Sequence, residues 1–137
     1  AWCIAQASEQ EIDTLNILQA TLLAMQRAVA GLSMTPKLVL IDGNRTPLLP
    51  MPCRAIVKGD ATEPCISAAS ILAKTYRDTL MTHMEKRWPG YGFEAHKGYG
   101  TEDHYQALRR LGPCPQHRLT FRGVLPEKPV AQQASLL

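Results

Sequence analysis

At 137 residues, with 45% hydrophobic residues and a formal net charge of +3, the chain has the size and composition of one globular domain and is short for a two-domain enzyme. No apolar run approaches a membrane span, and the four cysteines and four histidines form no Cys-x-x-Cys, His-Glu-x-x-His or His/Cys cluster, which argues against a bilayer protein, a disulfide framework and a zinc site. The mild basicity, with a pI near 8.8, is compatible with a polyanionic partner without requiring one, and the scattered thiols suit a reducing cytoplasm.

The chain starts at Ala1 rather than at methionine and is expected to be a fragment or a processed product. Trp2 to Ala7 reads as the end of a strand. Ser8-Glu9-Gln10-Glu11 has the capping-box pattern, and Ile12, Leu15, Leu18, Leu22, Met25 and Val29 then recur at helical spacing, predicting one long amphipathic helix closed by Gly31. The Leu and Met stripe of that helix reads as core. Leu38 to Ile41 is a short continuous apolar run, as in a strand covered by helices on both faces, and it delivers Asp42-Gly43-Asn44 to its carboxyl end. Ligands of α/β sheets sit at that edge, so Asp42 is a site candidate, although Asp-Gly and Asn also make an ordinary turn. Pro47, Pro50 and Pro52 stiffen the next loop, and Arg54 to Lys58 predicts a second strand ending at Gly59-Asp60.

A helix follows from Pro64, suited to a first helical position, with Thr62 or Glu63 as cap, to about Trp88, where Pro89-Gly90 stops it. Ala69, Leu72, Ala73, Tyr76 and Leu80 form its apolar stripe, while Ser67, Ser70, Lys74 and Asp78 share a neighbouring face. Small hydroxyls near a helix start with a lysine one turn on allow a phosphate to approach; a solvated face with an i,i+4 ion pair fits the same spacing, but Lys74 before Asp78 is the weaker order for such a pair. Tyr91 to Gly100 is a glycine-rich loop with aromatic and basic residues, open to a sugar or base or simply anchored by its rings. Thr101 then caps a helix carrying Tyr105, Leu108 and Leu111, with Arg109 and Arg110 near its end and Gly112-Pro113 as the stop. Gln116-His117-Arg118 and Phe121-Arg122 are basic and irregular, residues 125–137 have the composition of a disordered tail, and no internal repeat is present.

A carboxylate at a strand end, another on the following helix and a basic loop are the parts that hold hard dications against a phosphodiester. In order and in spacing, Ile41-Asp42-Gly43-Asn44, Lys58-Gly59-Asp60, Ile66 to Lys74 with Arg77-Asp78, His96-Lys97-Gly98-Tyr99-Gly100-Thr101 and Pro115-Gln116-His117-Arg118 closely resemble bacterial ribonuclease HII, from about Glu11 to Val124. The resemblance implies an α/β ribonuclease H-like fold over residues 1–124, with Mn²⁺ or Mg²⁺ as cofactor. It also implies endonucleolytic cutting of the RNA strand of RNA–DNA hybrids and at ribonucleotides embedded in DNA, leaving 5′-phosphate and 3′-hydroxyl ends. By resemblance, Asp42 and Asp78 are the metal-binding catalytic carboxylates, Asp78 being the last of the family's four acids. Tyr99 is then the ring against the sugar at the RNA–DNA junction, and Ser67, Ser70, Lys74, His117 and Arg118 contact phosphates. The expected setting is a cytoplasmic monomer without membrane attachment.

The departures carry their own expectations. The family's opening strand with Asp-Glu and the following Gly-Arg-Gly have no counterpart in this chain, and Gly123 stands where the family usually has proline. The expected architecture is therefore incomplete at the N-terminus, short of the first strands of a mixed sheet, with apolar faces left uncovered. Asp60, Glu63 and Asp103 are spare acids, read as turn and helix-start residues rather than replacements, and the chain alone is expected not to cut. The alternatives are a non-catalytic nucleic-acid-binding remnant and a phosphoryl-transfer enzyme with Asp42 as nucleophile. The second is weakened because Asn44 stands where enzymes resembling haloacid dehalogenases carry a second aspartate.

Overall fold

The computed structural model describes residues 1–126, so the predicted tail of residues 125–137 lies almost wholly outside the described residues. The element order is α1 (Glu9–Leu15), α2 (Ile17–Ala30), β1 (Val39–Asp42), β2 (Cys53–Ile56), α3 (Gly59–Thr62), α4 (Pro64–Arg87), α5 (Phe93–His96) and α6 (Glu102–Leu111). Among the described residues the sheet has two strands, β1 and β2, paired in parallel with Val39 opposite Cys53 and Asp42 opposite Ile56. Both carboxyl ends therefore open on one edge, as the apolar run before Asp42 predicts.

The amino-terminal segment departs from expectation twice. Trp2 to Ala7 forms no strand. The predicted single helix is two, because Asn16 takes φ 81°, ψ 167°, closing α1 with its own amide on the Ile12 carbonyl and opening α2 by accepting the Gln19 N–H on its side chain at 3.0 Å. Asparagine is a preferred N-cap, so local chemistry overrides an unbroken apolar period. The Ser8 capping box forms as read, with Ser8 N–H donating to Glu11 at 2.8 Å and Glu11 N–H to Ser8 Oγ at 3.1 Å.

The main core is built around the carboxyl end of α4, α5 and α6. Met81, Tyr91, Phe93, Ala107, Leu108 and Cys114 are buried together, with Leu80, Met84, Trp88 and Tyr105 packed around them. Phe93 is 2% exposed, and burying such a side chain contributes about 1.5–3 kcal/mol. Glu85 closes the turn after α4, accepting the Gly90 N–H at 3.2 Å and the Phe93 N–H at 2.7 Å.

Helix α4 joins this core to the sheet. Ile66 is buried near β1 and Met81 in the main core, while every residue from Ala68 to Arg77 is exposed. The predicted stripe of Leu72 and Tyr76 thus has no cover among the described residues, and only Leu80 of it packs inward. A groove of about 490 Å³, lined by Met25, Val29, Leu38, Ile41 and Ile66 and ending at Asp42, is a second uncovered apolar face. Both agree with the sequence-based expectation of exposed apolar faces.

Candidate functional site

The sheet's carboxyl edge is built into a tight corner. After β1 the Gly43 N–H donates to the Ile56 carbonyl at 3.0 Å, and after β2 Lys58 turns the chain with φ 55°, so that the Gly59 N–H donates to Asp42 Oδ1 at 2.9 Å. Gly59 is buried there, and a Cβ on it would stand 2.6 Å from Ile66 Cδ1 and 3.3 Å from Ile56 Cβ. A side chain at this position would have to displace Ile66, between the strand end and the first turn of α4. The next residue, Asp60, is exposed, as is Asp42.

Asp60 thus directly follows the residue whose amide binds Asp42. Asp78 follows Ile66 by more than three turns of α4, roughly 18 Å along the axis. The sequence expects Asp78 to serve with Asp42, and the fold offers Asp60 as a second candidate for that place. Lys58-Gly59-Asp60 directly after a strand is visible in the sequence; the burial of Gly59, which leaves the following acid at the surface, is not. Among the described residues no group of three or more His, Cys, Asp and Glu side chains is arranged to hold a metal. Two exposed carboxylates, one oxygen of Asp42 being already engaged by an amide, are a donor set suited to Mg²⁺ or Mn²⁺, which keep several waters and take one or two protein oxygens.

On α4, Ser67 is half-buried and Ser70 and Lys74 are exposed on the predicted polar face. Lys74 and Asp78 do not pair. The ion pairs among the described residues are Arg27 with Glu11 and Arg109 with Glu102. The polar face is thus not explained by an internal pair.

Tyr99 is 64% exposed and held from behind. Its N–H donates to the His96 carbonyl at 2.9 Å, and its carbonyl accepts from the Thr101 N–H at 2.9 Å and lies 2.9 Å from His104 Nδ1. Arg77 reaches over from α4, donating to the Lys97 carbonyl at 3.2 Å with its guanidinium 5.6 Å from the centre of the Tyr99 ring. Gly98, at φ +82°, makes the turn that delivers the ring.

His117, expected to contact phosphate, is instead buried. Its Nδ1 accepts the Cys114 N–H at 2.9 Å and its Nε2 lies 2.9 Å from His104 Nε2. Burial, reinforced by His104, pushes its pKa from 6.5 down to about 4, so it is neutral at pH 7 and offers no charge to a phosphate. No sequence signal distinguished a buried His117 from an exposed one, because the segment is irregular and lacks periodicity. Arg118 remains half-buried, its guanidinium 3.6 Å from the centre of the Phe121 ring; burial, then the nearby charge of Arg77, lowers its pKa. The turn after Arg118 is tied to α1 through Asp13, which accepts from the Leu119 N–H at 3.0 Å and from Thr120 Oγ1 at 2.7 Å.

Residues 3–124 match the family model described as Ribonuclease HII. Ribonuclease HII 1 of Methylibium petroleiphilum is 65% identical over 124 residues, covering 90% of this chain and 63% of that protein. Ribonuclease HII of Hyphomonas neptunium is 58% identical over 139 residues, covering 90% and 67%, and that of Bordetella pertussis is 58% identical over 121 residues, covering 88% and 60%. The chain thus spans between 60% and 67% of the length of these relatives.

Proposed function

Since the chain belongs to the ribonuclease HII family, with an α/β fold of the ribonuclease H type, we propose that it supplies the metal corner and the sugar-facing ring of an endoribonuclease acting on RNA–DNA hybrids and at ribonucleotides embedded in DNA. The observation that carries this reading is the Asp42–Gly59 bond of 2.9 Å, which sets two exposed carboxylates, Asp42 and Asp60, at one sheet edge beside the start of α4.

Asp42 and Asp60 would hold Mn²⁺ or Mg²⁺. A bound dication supplies charge against the scissile phosphate and lowers the pKa of a water. The Gly59 amide fixes the Asp42 carboxylate, so little reorganisation is needed when a cation is bound. Ser67, Ser70, Lys74 and Arg118 take phosphates flanking the cut, joined by Arg77; these contacts fix register and carry no sequence information. Tyr99 presents its ring to the sugar, where the 2′-hydroxyl is the one group that separates RNA from DNA. Asp78, further along α4, is left outside the dication's ligand set in this reading. The products are 5′-phosphate and 3′-hydroxyl ends, and the setting is a cytoplasmic monomer; no helix among the described residues is long and apolar enough to cross a membrane.

The test uses two duplexes that differ by one 2′-hydroxyl, with Mn²⁺ or Mg²⁺. Tighter binding of the ribonucleotide-containing duplex, weakened in Tyr99→Ala, together with metal dependence that Asp42→Asn removes, is the expected result. Metal-dependent cutting at the ribonucleotide would place catalysis in this chain, and binding without cutting would make it a recognition part of the site. Equal affinity for both duplexes, insensitive to metal, would overturn the proposal.

A further inference from the structure

Three imidazoles, His96, His104 and His117, form a buried cluster behind the Tyr99 loop that the metal corner does not use. Fixed backbone donors assign all three proton positions. The Cys114 N–H donates to His117 Nδ1 at 2.9 Å, so neutral His117 carries its proton on Nε2 and donates it to His104 Nε2 at 2.9 Å. His104 must then carry its proton on Nδ1, where it donates to the Tyr99 carbonyl at 2.9 Å. Independently, the Gly98 N–H donates to His96 Nδ1 at 3.1 Å, leaving His96 Nε2–H to donate to the Tyr91 carbonyl at 2.7 Å. The His96 and His104 rings stack with centroids 4.2 Å apart and planes 10° apart, and Phe93 meets both edge-on.

Every polar ring atom of the cluster is thereby satisfied with neutral rings, and two of the three imidazoles end on the two residues that shape the exposed turn, Gly98 and Tyr99. A loop rich in glycine loses more conformational freedom on ordering than one without it, so the ring it carries is only as well positioned as its anchors. We infer that His104, itself oriented by His117, is the positioning residue for Tyr99: a one-way hydrogen-bond relay from the Cys114 amide through two imidazoles to the Tyr99 carbonyl sets where the ring meets the nucleic acid. This rests on the reading of Tyr99 as the sugar-facing ring.

Two measurements test it. Nitrogen-15 spectra of the histidine rings should show His104 as the Nδ1–H tautomer and His117 and His96 as Nε2–H; His104 and His117 as the same tautomer would break the relay and overturn the inference without any variant. Affinity for duplex DNA carrying one ribonucleotide should fall by about tenfold or more in Tyr99→Ala and by a similar factor in His104→Leu. His104→Asn, whose amide N–H can replace Nδ1–H, should recover most of it, and His104→Leu should add nothing in a Tyr99→Ala background. Losses that add in the double variant, or no rescue by asparagine, would make His104 a structural residue only. Unchanged affinity in Tyr99→Ala would remove the reading on which the inference rests, and with it this role for His104. A weakened Tyr99→Ala beside an unaffected, folded His104→Leu would remove the positioning role alone.

Discussion

The Gly59 amide donates to Asp42 Oδ1 across 2.9 Å, joining the end of β1 to the start of α3. Two loops that leave parallel strands thereby meet at one edge, with an exposed acid, Asp60, next in the chain after the bonded glycine. The geometry depends on the absence of a side chain at residue 59.

Gly59→Ala is expected to destabilise the protein by about 1–3 kcal/mol, the usual cost of forcing a methyl group into a packed site. The new Cβ would meet Ile66 Cδ1 at 2.6 Å, so Ile66→Val, which removes that methyl, should recover part of the loss. Urea denaturation of the single and double variants checks both. Equal losses with and without Ile66→Val would mean that the clash is with Ile56, whose Cβ would stand 3.3 Å away, instead.

The histidine cluster gives a pH dependence with a definite sign. His117 is harder to protonate in the folded chain than in the unfolded one, its pKa being held from 6.5 down to about 4 by burial and then by His104, with Arg118 and His96 adding to it. Its contribution to stability is complete above about pH 6.5 and is lost as pH falls towards about 4. Glu11, held near 2 by its bond to Arg27, titrates in a lower window and can be told apart. Thermal melts between pH 7.5 and 4 should fall more steeply for the parent than for His117→Asn, whose side-chain oxygen can still accept the Cys114 N–H. Parallel curves would assign the acid sensitivity elsewhere.

Tyr99 is exposed enough that its replacement should leave stability within about 0.5 kcal/mol. Tyr99→Ala should weaken binding of a single-ribonucleotide duplex by about 1–3 kcal/mol through lost stacking, whereas Tyr99→Phe, which keeps the ring, should retain most of it. Titration at constant salt is needed, since phosphate contacts are salt-dependent. A Tyr99→Phe variant as weak as Tyr99→Ala would shift the role from the ring face to the hydroxyl.

Much of the fold could be read from local chemistry. The Ser8 and Thr101 caps, Pro64 opening a helix and the apolar run that delivers Asp42 each depend on a few adjacent residues, and each is found as expected. The failures are of two kinds. Asn16 interrupts a perfect apolar period because a cap and a positive φ are decided by one residue, whereas periodicity averages over many. His117 differs for another reason: the meeting of two histidines from α6 and the loop after it, like the burial of Gly59 before Asp60, is a long-range fact, invisible in spacing. Resemblance identified the motifs, but a motif supplies its residues in order and not which of them converge.

The central claim is that Asp42 and Asp60, and not Asp78, hold the dication. The most direct test is paramagnetic broadening of backbone amide signals by substoichiometric Mn²⁺. The signals of Gly43, Gly59 and Asp60 should be lost first, and Asp42→Asn or Asp60→Asn should weaken Mn²⁺ affinity by at least about tenfold, ~1.4 kcal/mol, while Asp78→Asn leaves it unchanged. Broadening centred on the middle of α4 around Asp78, surviving Asp42→Asn, would contradict the account.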